Sequence, residues 1–356
     1  MTPPEEKELK EHINASAKIL YRQSKPEQVE TLARIEETVR EQTLKHISPQ
    51  IGGFFIQQRT GTDVGRKRTV KSIIGKLPLS EKQAQKLQVK SYQRVSPYLT
   101  ECCLRASANV SYNSAAQDVA SYTAITVSAR TQQRLVHRYQ FPEADCESLV
   151  AEISVDGGKV RLRTETKGES CIGRDYKAVC VHSQSRMAWF QKNEELVQWV
   201  NQQPFDFVLN CVGDGHPGVG NLMNQFNPEG ESRQILDWFH LVENLYKVGG
   251  SLKRLAEAKQ LLWQGKVDAT LDLFSPLKKT QAQNFCTYLG NHRHRIVNYD
   301  YYPAENICAI ASGAVEGSVK QIDRRLKISG AQWKPKNVPQ VLKHRCAYLN
   351  NTLSLK

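Results

Sequence analysis

Apolar positions recur at roughly helical spacing through residues 1–45. Leu9, Ile13, Leu20, Leu32, Ile35 and Val39 stand among balanced charges and predict helix. Gly52, Gly53, Thr60, Gly61 and Thr62 are expected to break that pattern. The stretch 65–75, with Arg66, Lys67, Arg68 and Lys71 between glycines, reads as a loop or paired strands near phosphate, or as a linker. Further helices are predicted over 80–94 and 97–108.

Residues 114–139 read as two helices and a tight turn. Ala115, Ala116, Val119 and Ala120 make one small face, Ala124 and Ile125 mark the turn, and Ser128 caps the second helix. That is the layout of a helix-turn-helix, with Arg130, Gln133 and Arg134 as the side chains that would reach base edges. An ordinary helical hairpin with exposed arginines is the alternative.

After Phe141-Pro142-Glu143 the texture changes to alternation. Ile153 and Val155, then Val160 and Leu162, flank Asp156-Gly157-Gly158 and predict strand, tight turn, strand. Residues 176–182 (YKAVCVH) predict another strand, 194–203 a helix, and 205–212 (FDFVLNCV) a strand buried on both faces. A short strand is expected at 233–236 and helix from Trp238 to about 295. The last helices are expected at 314–327 and 338–350. Three antiparallel strands, a helix, and further strands with helices make an α/β fold.

Composition narrows the function classes. The 356 residues carry 49 Lys and Arg against 36 Asp and Glu, a surplus of +13. The surplus is local: residues 51–100 carry +8, residues 301–356 carry +6 and residues 201–250 carry −4. Basic ends around an acidic middle suit a grip on phosphates around a metal-binding centre; a solvated basic face without a partner is the alternative. No run of about 18 apolar residues exists, so no membrane span is expected. The opening MTPPEEKELKEH has no signal-peptide layout, so secretion is not expected. Nine cysteines without a C-x-x-C pair argue against a zinc ribbon and fit reduced cytosolic thiols.

Three acids stand out. Asp156 and Asp214 each precede glycine at an expected strand end, and Glu316 opens a basic helix on which Lys320, Arg324 and Lys327 follow. Carboxylates without an organised Cys/His set suit two Mg²⁺ or Mn²⁺ ions, which serve phosphoryl transfer. Taken singly, Asp156 and Asp214 read more readily as Asp-Gly turns, and Glu316 as a solvated helix residue. His292 and His294, in HRHR, have metal-like spacing but read better as a DNA-contacting basic loop.

The motifs SVDGGKVRLR, VLNCVGDGHPGVGNLM, ILDWFHLVENLY, GAVEGSVKQIDRRLK and GAQWKPKNVPQVLKHRCAYL resemble those of bacterial DDE transposases, close to the ISKra-type insertion-sequence family and related to Mutator-like transposases. The resemblance runs from about residue 30 to the end. It implies an RNase H-like mixed sheet with flanking helices, Asp156, Asp214 and Glu316 as catalytic metal ligands, and Asp237 and His240 as the family's D-x-x-H. His240 would contact the scissile phosphate or orient Asp237; a histidine merely satisfied by Asp237 is the alternative. Trp333 would stack on an unpaired base, or anchor a loop.

The expected organisation is a helical, basic region over 1–110, a helix-turn-helix over 111–142, the core over 148–240, a helical insertion over 241–305 and the core's last helices over 306–356. The expected activity is Mg²⁺-dependent cleavage and joining of double-stranded DNA at transposon ends and target, by a homo-oligomer in the bacterial cytoplasm at the nucleoid. Arg66, Lys67, Arg68, Arg130, Gln133, Arg134, Lys320, Arg324 and Trp333 are the expected DNA contacts. A DNA-binding regulator with a degenerate nuclease domain, or a structure-specific nuclease, are the competing readings.

Overall fold

The computed structural model describes residues 1–166, 168–181 and 184–353. They form two compact units. One comprises Met1–Ser107 with Tyr112–Leu135; the other comprises Ala108–Ser111 and the described residues from Val136 to Leu353. The expected 111–142 segment is therefore shared between the units.

In the first unit, helices α1 (Pro3–Gln23), α2 (Leu32–Gln42) and α3 (Ser48–Thr60) precede a hairpin of β1 (Arg68–Ser72) and β2 (Gly75–Leu79). Helices α4 (Glu81–Lys86), α5 (Pro97–Ser107), α6 (Tyr112–Thr123) and α7 (Ala129–Arg138) follow, α7 running past the unit boundary. Gly52 and Gly53 do not end a helix, as the sequence suggested. α3 runs through them because the hairpin packs on Gly52, where a Cβ would lie 2.7 Å from Ile74 Cδ1. The stop comes at Gly61, whose φ of +61° is left-handed. The helix expected over 80–94 shrinks to α4, since the carbonyls of Val89, Lys90 and Ser91 turn to accept from Arg68 instead. Val95, Leu99, Cys103, Val119 and Val127 form this unit's small core.

In the second unit, among the described residues, five strands form one mixed sheet ordered β5-β4-β3-β6-β7. These are β3 (Val150–Leu162), β4 (Ile172–Val181), β5 (Ser185–Phe190), β6 (Phe205–Gly213) and β7 (Glu231–Leu236). β3, β4 and β5 pair antiparallel; β6 and β7 join parallel to β3. The fold is thus mixed α/β, as the pattern predicts. Two details differ. Asp156-Gly157-Gly158 is no turn, because β3 stays in register with β4 from Ile153↔Val181 to Leu162↔Ile172. Gly158 serves the Tyr176 ring, which would lie 2.3 Å from any Cβ there. The sequence reading also missed β5 (SRMAWF), buried at five of six positions. His182, expected to close β4, lies outside the described residues.

Helix α8 (Asn193–Asn201) crosses over to β6, and the short α9 (Pro217–Met223) links β6 to β7. Helix α10 (Trp238–Lys247) leads into α11 (Leu252–Trp263), α12 (Val267–Phe274), α13 (Thr280–His292) and α14 (Tyr301–Ala304), where a helical insertion was expected. These helices bury their own apolar cluster against Val212, Ile235 and Leu236. Helices α15 (Gly313–Leu326) and α16 (Val338–Leu349) complete the main core with Val155, Val160 and Tyr176. Among the described residues no helix is long and apolar enough to cross a membrane.

Candidate metal and phosphoryl-transfer centre

Strand register brings the first two acids together. The parallel pairing of β3 with β6 ends at Val155↔Gly213. Asp156 and Asp214 are the next residues on these neighbouring strands, so they come side by side where β6 ends and β3 continues. Gly213 permits this close packing: a Cβ would lie 3.0 Å from the Val155 carbonyl oxygen and 2.6 Å from Met223 Cε. Asp156 Oδ1 accepts from the Gly157 N–H at 2.6 Å, and Asp214 Oδ1 from the His216 N–H at 3.0 Å.

The third acid arrives on α15. Tyr176, on β4, donates its hydroxyl to Asp323 Oδ1 at 2.9 Å and ties the helix to the sheet. Glu316 lies in the first turn of that helix, with Lys320 Nζ 3.8 Å from its Oε2. Burial raises the pKa of Asp156, and the charges of Asp214 and Glu316 raise it further against the opposing Gly157 N–H and His240. Asp156 thus feels the other two carboxylates although 160 residues separate it from Glu316.

Asp237 and His240 flank this group. Asp237, 0% exposed, caps α10 by accepting from the His240 N–H at 2.8 Å. Its other oxygen accepts from the Ser312 N–H and, at 2.7 Å, from the Ser312 hydroxyl. His240 Nδ1 lies 3.1 Å from Asp237 Oδ1, an ion-pair contact short of hydrogen-bond alignment, and 3.9 Å from Glu316 Oε1. Burial opposes ionisation of Asp237, but His240 and the Ser312 donors prevail and hold its pKa at about 2. The same carboxylate lifts His240 to about 9 against its own burial, with Glu316 and Asp214 adding. Both groups are therefore charged at neutral pH.

Donor atoms of Asp237, His240 and Glu316 lie within 4.8 Å of one another, so this group could hold a metal ion. Asp237 is the member least free to do so, since both its oxygens are occupied by donors. Its work is to join the end of β7, the start of α10 and Ser312 before α15, which sets His240 beside Glu316.

The sequence reading missed Arg295. It lies in the HRHR stretch expected to be an exposed DNA-contacting loop, yet its side chain is 2% exposed. Its Nη2 donates to the carbonyl oxygens of Gly213 and Asp214, at 3.1 and 2.9 Å. Tyr288 and His292 of α13 roof the adjacent Gly215, where a Cβ would lie 2.8 and 3.1 Å from them. The helical insertion therefore anchors the backbone of the second acid. A lone basic residue within HRHR carries no periodic sign of this.

The expected DNA contacts divide. Arg66, Lys67, Arg130, Gln133 and Arg134 are exposed in the first unit, and Lys320 and Arg324 are exposed on α15. Arg68 is spent on three backbone carbonyls. Trp333, expected to stack on a base, is 9% exposed in the main core. Its Nε1 donates to the Leu326 carbonyl at 2.9 Å and Arg325 lies over its ring, so loop anchoring, the alternative reading, is what the structure shows. Helices α6 and α7 follow the expected boundaries, with Ser128 accepting from the Thr131 N–H, and Gln132 is buried against Ser107. The chain matches no protein-family model and no curated protein.

Proposed function

We propose that the protein is a DNA strand-transferring phosphoryl transferase of the DDE transposase type, built on an RNase H-like sheet. One observation carries this reading: strand register sets Asp156 beside Asp214, and Glu316, widely separated from both in the chain, stands within electrostatic reach of Asp156 and 3.9 Å from His240 Nδ1. Three antiparallel strands continued by two parallel ones, with the first acid on β3, agree with the core that the motif resemblance implies. The exposed basic residues of α15 and the chain's +13 surplus supply the attraction for a polyanion.

The residues fit divalent cations. Strand register sets Asp156 beside Asp214, the Glu316 charge reaches Asp156, and an all-oxygen set of this kind suits Mg²⁺ or Mn²⁺. Asp156, Asp214 and Glu316 would hold them; bound there, they would supply Lewis acidity toward a phosphoryl oxygen and a lowered pKa for the attacking hydroxyl. The chain's own residues position the rest. Asp237 keeps His240 protonated, which offers a cation to a non-bridging phosphate oxygen. Lys320 and Arg324 extend positive charge along α15 for the flanking phosphates. Arg295 keeps Asp214 beside Asp156.

The test uses a duplex carrying the element's end. Asp156→Asn, Asp214→Asn and Glu316→Gln should each abolish Mg²⁺-dependent cleavage and strand transfer while leaving duplex binding intact. Wild-type cutting by any one of them removes that acid from the centre. Cleavage without any joined product identifies a nuclease instead, and binding without nicking identifies a regulator.

A further inference from the structure

Past Gly158 the sheet narrows to two strands. β3 is paired with β6 only as far as Val155, and β4 with β5 only as far as Tyr176, yet β3 and β4 stay paired out to Leu162↔Ile172. One side of this ribbon is core: Gly158, Val160, Leu162 and Tyr176 are buried. The other side presents Lys159, Arg161 and Arg163, all exposed. Alternate residues of a strand share a face about 6.7 Å apart, so the three cations form a row. Asp156 falls out of phase with them and belongs to the other side.

The row continues beyond β3. The Arg163 N–H donates to the Trp333 carbonyl, and the Trp333 N–H to the Arg161 carbonyl, each at 2.9 Å. That pairing lays the exposed Lys334 and Lys336 beside Arg163, around a space of about 570 Å³ that all three line. At the other end Lys177 stands opposite Gly157, its Nζ 3.0 Å from where a Cβ there would lie. Six cations thus share the surface with two acids, Asp175 opposite Lys159 and Glu165 on the space beside Lys334. Among the described residues none of the six side chains makes a hydrogen bond or ion pair, whereas Lys192, Lys320, Lys327 and Lys343 in the same unit all do. A crowd of unpaired cations repels itself and fits a polyanion. The row itself lies flat on a strand and holds no aromatic ring, which suits phosphates rather than bases.

We infer that this face of the β3–β4 ribbon is a second DNA surface, which grips the phosphate backbone of a duplex without reading its sequence and without presenting it to the acids. The inference rests on DNA as the partner proposed above, but not on the chemistry of Asp156, Asp214 and Glu316.

Binding of a labelled duplex of arbitrary sequence, titrated across salt in EDTA, tests it. Each lost contact between a cation and a phosphate lowers the slope of log Kobs against log salt by about 0.9. Lys159→Thr with Arg161→Thr and Arg163→Thr should therefore lower it by about 2.7, equally for two unrelated sequences. Threonine suits exposed strand positions, and near-UV circular dichroism of the buried Trp189 and Trp199 checks the fold. Lys253→Gln with Lys259→Gln and Lys278→Gln removes the same charge from exposed sites of the helical insertion and should lower the slope by less than half as much. Asp156→Asn should keep the wild-type slope, so loss of cutting and loss of this grip are separable. A wild-type slope in the threonine variant, an equal fall in the glutamine control, or a fall confined to one sequence would each overturn the proposal. Loss of binding to phosphatidylserine vesicles with duplex binding unchanged would assign the face to a membrane and overturn it too. A wild type that binds no duplex at all would remove the partner itself.

Discussion

Asp237 shows how one buried residue organises a centre it need not enter. It accepts from two backbone N–H groups and a hydroxyl and faces an imidazolium. Asp237→Ala leaves those donors unsatisfied and should cost about 3–5 kcal/mol in a denaturant titration. The pair also sets a pH dependence. His240 has its pKa raised to about 9, above the unfolded value near 6.5, so its contribution is complete below that lower value and lost as pH rises through about 9. Asp237 has its pKa depressed to about 2, so its contribution persists above the unfolded value near 3.8 and is lost as pH falls through about 2. Stability measured from pH 6 to 10 should therefore decline in the wild type, and the decline should be shallower in His240→Gln. Arg295 acts at the same scale. Arg295→Met removes two donors from the carbonyls of Gly213 and Asp214; about 3 kcal/mol of stability should go, and the displaced carboxylate should lower cleavage about 100-fold. Arg295→Lys, keeping charge but not the fork, should recover part of each; equal activity in all three would show that Asp214 needs no such anchor.

At the scale of elements, packing overrode local sequence signals. Asp-Gly-Gly is a strong turn signal, yet β3 runs through it because ten consecutive pairs with β4 outweigh a turn and Tyr176 needs the space at Gly158. Gly52 likewise serves a packed hairpin. Strand β6, with its near-continuous apolar run, and α15, with its helical period, were legible as elements, although β6 is buried only from Leu209 onward and exposes Asp206 and Phe207 where burial on both faces was expected. Trp333 was not: an aromatic between glycine and lysines reads the same whether it faces a base or the core. Trp333→Phe should lower stability by about 1 kcal/mol through the lost bond to Leu326, with duplex affinity unchanged. A loss of affinity with stability intact would return the ring to the DNA interface.

For the molecule as a whole, the candidate centre opposes stability to function. Burial first, and then the charges of Asp214 and Glu316, disfavour the ionised form of Asp156. Without divalent ions, Asp156→Asn should match or exceed the wild type in thermal stability. Mn²⁺ at about 100 times its Kd should stabilise the wild type by about 2.7 kcal/mol and the variant by much less. An equal metal response in both proteins would exclude Asp156 as a ligand.

The amino-acid order alone carried the α/β class, the acids and the basic ends, because these depend on residue type and on periods of two or 3.6 residues. It could not carry the meeting of Asp156 with Asp214, which depends on strand register, or the burial of Arg295, which depends on where α13 and its neighbours pack. Such facts arise between segments distant in the chain, and a one-dimensional pattern holds no record of which distant surface a side chain will face.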